Sequence, residues 1–116
     1  MVRFFDSHAH LDDEKFDIDR EKVISEIENS DTACFVTAGY SLEASKKAVK
    51  IANQYDFVYA TCGISPNDIP QDEENLWKEI LEIESIVKSN KDSKKIVAIG
   101  EIGLDYYWEK DDERRN

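Results

Sequence analysis

Val2-Arg3-Phe4-Phe5-Asp6-Ser7-His8-Ala9-His10 opens the chain, a short apolar run that ends in an acid, a serine and two histidines. The run reads as a strand over residues 2–5. Three more runs of Val, Ile, Phe and Ala occur at 33–38, 57–62 and 96–99, each nearly continuous instead of alternating with polar residues. That pattern belongs to strands covered on both faces in a parallel sheet. The segment directly after the first strand separates two architectures. A doubly wound open sheet places a glycine-rich phosphate loop there, and this chain has Asp6-Ser7-His8-Ala9-His10 instead.

Between the runs lie helical patterns. Residues 19–29 put Val23, Ile24 and Ile27 on one face, and residues 41–54 repeat the spacing with Ala48, Val49 and Ala52, Ser41 standing where a cap is needed. Residues 72–89 align Leu76, Ile80, Ile83 and Val87, with Trp77 and Leu81 beside them, behind an acidic Asp72-Glu73-Glu74 entry that suits the helix dipole. The order β-α-β-α-β-α-β with short connections makes parallel β-α-β units. An α/β fold of the (β/α)8 TIM-barrel type is expected. A complete barrel takes about 250 residues, so the 116 residues here are one incomplete domain, 1–116, holding about the first four β/α units. No repeat or linker interrupts it, and the charge run at 109–116 reads as a solvated loop or a fraying helix start.

A hydrophobic fraction of 41% is enough for a core, while a net charge of −11 repels phosphate polymers. Any phosphate chemistry would need a local cation. The apolar runs are too short to span a bilayer, and the first residues lack the basic and long apolar segments of a signal peptide, so no membrane partner and a cytoplasmic address are expected. Cys34 and Cys62, far apart in apolar surroundings, read as reduced core thiols.

The chemistry concentrates at two strand ends. His8 and His10 are the only histidines, and at i and i+2 on extended backbone they point to the same side. Neutral imidazole binds zinc and related metals, and carboxyl ends of barrel strands are where this fold keeps its sites. Asp6, two residues further back, either orients a histidine or serves as a strand-end turn residue. After the fourth run comes Ala98-Ile99-Gly100-Glu101-Ile102-Gly103-Leu104-Asp105-Tyr106-Tyr107. A carboxylate at a buried strand end must be solvated, paired or metal-bound, which makes Glu101 the third candidate ligand. Gly100 and Gly103 read as backbone geometry. Asp105, Tyr106 and Tyr107 either reach substrate or cover the rim. Ser65, Asn67 and Asp68, in the loop after the third run, offer hydrogen bonds that a plain turn would use equally well.

These motifs, with Gly63-Ile64-Ser65-Pro66 between them, resemble the TatD family of metal-dependent deoxyribonucleases, a branch of the amidohydrolase-like barrels, along the full length of the chain. The resemblance implies hydrolysis of DNA phosphodiester bonds, with His8 and His10 on one divalent metal and Glu101 bridging to a second, in Mg, Zn or Mn form. Two departures stand out. The family usually has a histidine where this chain has Ser65, and its remaining ligands, two histidines and an aspartate that is the expected general acid or base, sit on later strands that this sequence does not include. The chain is therefore expected to be a fragment or split gene product without nuclease activity of its own. A related barrel hydrolase acting on amide or ester bonds would use the same His-x-His. A non-catalytic piece that associates with its own copies through open sheet edges is the expectation of another class.

Overall fold

A computed structural model describes residues 2–115; Met1 and Asn116, at the outer ends of the opening segment and of the charged tail, lie outside the described residues. The elements are β1 (Phe4–Ala9), α1 (Arg20–Glu28), β2 (Thr32–Ala38), α2 (Leu42–Gln54), β3 (Val58–Cys62), α3 (Glu73–Ser89), β4 (Ile96–Ile99) and a final helical turn, α4 (Asp112–Arg115). Short 3₁₀ turns at Glu14–Phe16 and Pro66–Asp68 punctuate two of the strand-to-helix loops.

The four strands form one sheet in the order β1-β2-β3-β4, and every neighbouring pair is parallel. This is the alternating architecture expected of roughly half a (β/α)8 barrel. One boundary differs from the sequence reading by more than two residues. β1 continues to Ala9 instead of stopping at Phe5, because its polar residues keep pairing: Asp6 lies opposite Phe35 and Ala9 opposite Thr37. Three steps on β1 against two on β2 make a bulge between Asp6 and Ala9, a device that re-aims side chains at the rim of a sheet.

Local chemistry sets the helix starts. The Ser41 hydroxyl accepts the Ala44 N–H (3.1 Å) and the Asp72 carboxylate accepts that of Asn75 (2.8 Å), each satisfying a donor that the first turn leaves open. The core lies between the helices and one face of the central strands, where Phe35, Thr37, Val58, Ala60 and Cys62 are buried with Ile24 of α1, Ala48 and Ala52 of α2, and Ile83 of α3. Small residues along α2 bring its backbone close to the sheet; fully buried Ser45 accepts the Gly63 N–H (3.1 Å) and donates to the Gly63 carbonyl (3.2 Å). Cys34 and Cys62 are free, and burial pushes the Cys62 thiol up to about 11. The edge strands are open, with Phe4, Phe5, Val97 and Ile99 all exposed. Among the described residues no helix is long and apolar enough to cross a membrane.

Candidate metal centre

His8 lies on β1 and His10 one residue beyond it, on either side of Ala9 at the end of the bulge. Their Nε2 atoms stand 3.1 Å apart. Glu101 comes two residues after β4, and its Oε2 lies 3.5 Å from Nε2 of His8 and 3.3 Å from Nε2 of His10. Among the described residues these three form a cluster able to hold a metal ion. The fit is quantitative: two donors bound at about 2.0–2.2 Å to one cation with tetrahedral or octahedral angles are themselves about 3–3.5 Å apart. All three separations fall in that window.

One ring is fixed from behind. Nδ1 of His10 lies 3.0 Å from the Ala38 carbonyl, so Nδ1 carries the proton and donates it, leaving the Nε2 lone pair facing Glu101. The Glu101 backbone is held as firmly: its N–H donates to the Gly39 carbonyl (2.6 Å), and that of Gly100 to the Cys62 carbonyl (2.9 Å). The glycines that make this approach possible are not those flanking Glu101. A Cβ on Gly63 would sit 2.5 Å from the Gly100 carbonyl carbon and one on Gly39 2.8 Å from the Thr61 carbonyl oxygen, whereas at Gly100 the nearest atom is 3.8 Å away. The close backbone contact falls on the neighbouring strand ends, a pairing that local sequence does not reveal.

The other candidates serve the scaffold in this structure. The Asp6 carboxylate accepts the His8 backbone N–H (3.0 Å), so it acts on the histidine through the main chain inside the bulge and touches neither ring nitrogen. Ser65 donates to Asp68 Oδ2 (2.8 Å) and accepts the Asn67 N–H (3.3 Å), stitching the turn at Pro66–Asp68. Asp105 accepts the backbone N–H groups of Tyr107, Trp108 and Glu109, and these bonds, that of Trp108 foremost, hold its carboxyl below the usual carboxylate range. The exposed Tyr106, Tyr107 and Trp108 come next on that loop.

Two features near the cluster carry no signal in the sequence. Asp12, two residues after His10, is buried against Thr37, and burial raises its carboxyl above the ordinary range. Arg20 clamps the loop after His10, donating to the carbonyls of Leu11 (2.6 Å), Asp12 (3.2 Å) and Asp13 (2.9 Å) and to Asp17 Oδ1 (2.7 Å). An arginine at a helix start gives no local hint that it will reach back over the preceding loop.

A parallel β/α half barrel with a His/His/Glu cluster at the carboxyl ends of its first and fourth strands defines the class of barrel-type chains with a candidate metal site at the strand ends. Comparison with known proteins narrows the class: the family model "TatD related DNase" matches residues 5–116, and the chain belongs to that family. It is 38% identical over 108 residues to YabD of Bacillus subtilis, an uncharacterised metal-dependent hydrolase, covering 91% of this chain and 39% of that one. Over 102 residues it is 31% identical to the 3'-5' ssDNA/RNA exonuclease TatD of Escherichia coli K12, covering 88% and 36%. Among solved structures, YjjV, a TatD homologue from the same organism, superposes with a TM-score of 0.73 at 23% identity over 97% of this chain and 40% of the other, a likeness in fold. The chain thus spans about two fifths of the length of the relatives it matches.

Proposed function

We propose that residues 1–116 are the N-terminal half of a metal-dependent nuclease barrel, in which His8, His10 and Glu101 hold a divalent cation and the completed protein hydrolyses phosphodiester bonds in DNA. The observation that carries this reading is the convergence of two imidazole nitrogens and one carboxylate oxygen, from strands at opposite edges of the sheet, at the mutual spacing of ligands on one ion. Magnesium, zinc and manganese all suit such mixed donors.

A bound cation supplies Lewis-acid charge and an activated water. The residues of this chain supply position: the Ala38 carbonyl fixes which nitrogen of His10 is free, and Gly39 holds the Glu101 main chain. The second carboxylate oxygen of Glu101 would be available to a second ion, which would give two cations in the complete site. Local cations also reconcile a net charge of −11 with a polyanionic substrate. Relatives named as single-stranded DNA and RNA exonucleases support the substrate class. Free thiols at Cys34 and Cys62 suit a cytoplasmic location.

The decisive experiment compares the 116-residue chain with the same protein continued through later strands. We expect the short chain to bind the cation without cleaving an oligonucleotide, and the continued protein to cleave it in a manner lost with His8→Ala or Glu101→Gln. Chelator-sensitive, His8-dependent cleavage by the short chain would overturn the half-barrel reading. A continued protein that hydrolyses amides or esters but no oligonucleotide would overturn the nuclease reading.

A second reading concerns the edges. Phe4 and Phe5 on β1 and Val97 and Ile99 on β4 are 52–62% exposed, so the 116-residue chain by itself has two adhesive edges through which copies can associate.

A further inference from the structure

A strand that contributes no ligand, β2, helps to hold the ligands in place. The end of β2 and the two residues after it, Ala38-Gly39-Tyr40, each touch the metal cluster or the loop beside it. The Ala38 carbonyl accepts from Nδ1 of His10, the Gly39 carbonyl accepts from the Glu101 N–H, and the Tyr40 carbonyl accepts the Ser65 N–H at 2.7 Å. Gly39 has no room for a side chain, since a Cβ would come within 2.4 Å of the Ser45 hydroxyl. The spacing between His10, just past the first strand, and Glu101, after the fourth, is therefore set by a bracket between them.

Within the bracket, one side chain faces the cluster. The Tyr40 ring meets the His10 ring edge-on, centroids 5.5 Å apart and planes at 77°, while His8 meets the same imidazole in a similar edge arrangement at 4.8 Å and 83°. The imidazole is thus packed against two rings and tied at Nδ1. A rotation of the His10 ring about its Cβ–Cγ bond would break the Ala38 bond and swing Nε2 away from Glu101, and contact with the Tyr40 ring opposes that rotation. We propose that Tyr40 is a positioning residue of the metal centre, acting through its ring and not its hydroxyl by locking His10 in the orientation that presents Nε2 to the cation. The inference rests on reading His8, His10 and Glu101 as a metal centre.

The test uses the 116-residue chain, with zinc or manganese affinity by calorimetry and the His10 ring nitrogens by ¹⁵N NMR in the metal-free protein. Tyr40→Phe should stay within about twofold of the parent affinity, and Tyr40→Leu, which keeps bulk without a flat ring, should weaken it about tenfold, in the range that loss of an outer partner of a metal ligand produces. In Tyr40→Leu the Nδ1 proton of His10 should also exchange faster, with the fold checked by circular dichroism. Parent-like affinity and ring signals in Tyr40→Leu would overturn the proposal. So would equal losses in Tyr40→Phe and Tyr40→Leu, which would transfer the role to the hydroxyl. A parent chain without metal affinity would sink the metal reading, and the His10 ring signals of the metal-free variants would still decide for or against Tyr40.

Discussion

Asp105 shows how a carboxylate that looks chemical can be absorbed by its own loop. Its oxygens accept from Tyr107 (3.0 Å), Trp108 (2.8 Å) and Glu109 (3.0 Å), so ionisation and loop order are coupled. Because the folded carboxyl titrates below its ordinary value of 3.8, its contribution is complete above that value and is lost as pH falls through the lower folded one. Acidification below pH ~4 should therefore lower the protection factors of the Tyr107, Trp108 and Glu109 amides before the core loosens. Asp105→Ala should show low protection there at every pH. Unchanged protection in that variant would mean the three bonds do not order the loop.

Among the elements, α2 is tied at its end to a residue far away in sequence. Its last turn carries no basic side chain to meet the carbonyls left open at the helix end. Lys95, just before β4, supplies one: its ammonium donates to the carbonyls of Tyr55 (2.8 Å), Asp56 (3.0 Å) and Val58 (2.9 Å) and lies 4.8 Å from the Tyr59 ring centre. This joins the end of α2, the start of β3 and the entry to β4. Lys95→Met keeps the aliphatic stem and removes the charge, and it should destabilise the fold by about 1.5–3 kcal/mol, the worth of hydrogen bonds to a charged group. An unchanged urea midpoint would show that solvent replaces the ammonium without loss.

At the scale of the molecule, the chain is more extended than a closed domain. Its radius of gyration is 15.5 Å, against about 13 Å for a compact domain of similar length. Along α3 only Ile83 is buried, while Leu76 and Ile80 line an open groove of about 360 Å³ with Ile64, Ile99 and Ile102. Such a surface leaves the 116-residue chain prone to edge pairing. Sedimentation velocity should show mass rising with concentration, and Val97→Lys on β4 should shift the chain toward monomer by placing a charge on the edge. A concentration-independent monomer in the parent would remove the association reading.

The periodicity of apolar residues was enough to place four strands and three helices, since burying those stripes leaves a chain of this order few options other than parallel β-α-β units. The cluster was legible for a similar reason: His-x-His on extended backbone shares one side, and Glu101 stood between glycines at a strand end. Contacts between distant segments were not. The bulge that carries β1 to Ala9, the bracket at Ala38-Gly39-Tyr40, the Arg20 clamp and the Lys95 bridge all join backbone groups whose partners lie several to about sixty residues away in the chain. Hydrogen-bonding partners of that kind are chosen by which strand ends come to lie side by side, and only the folded sheet makes that choice.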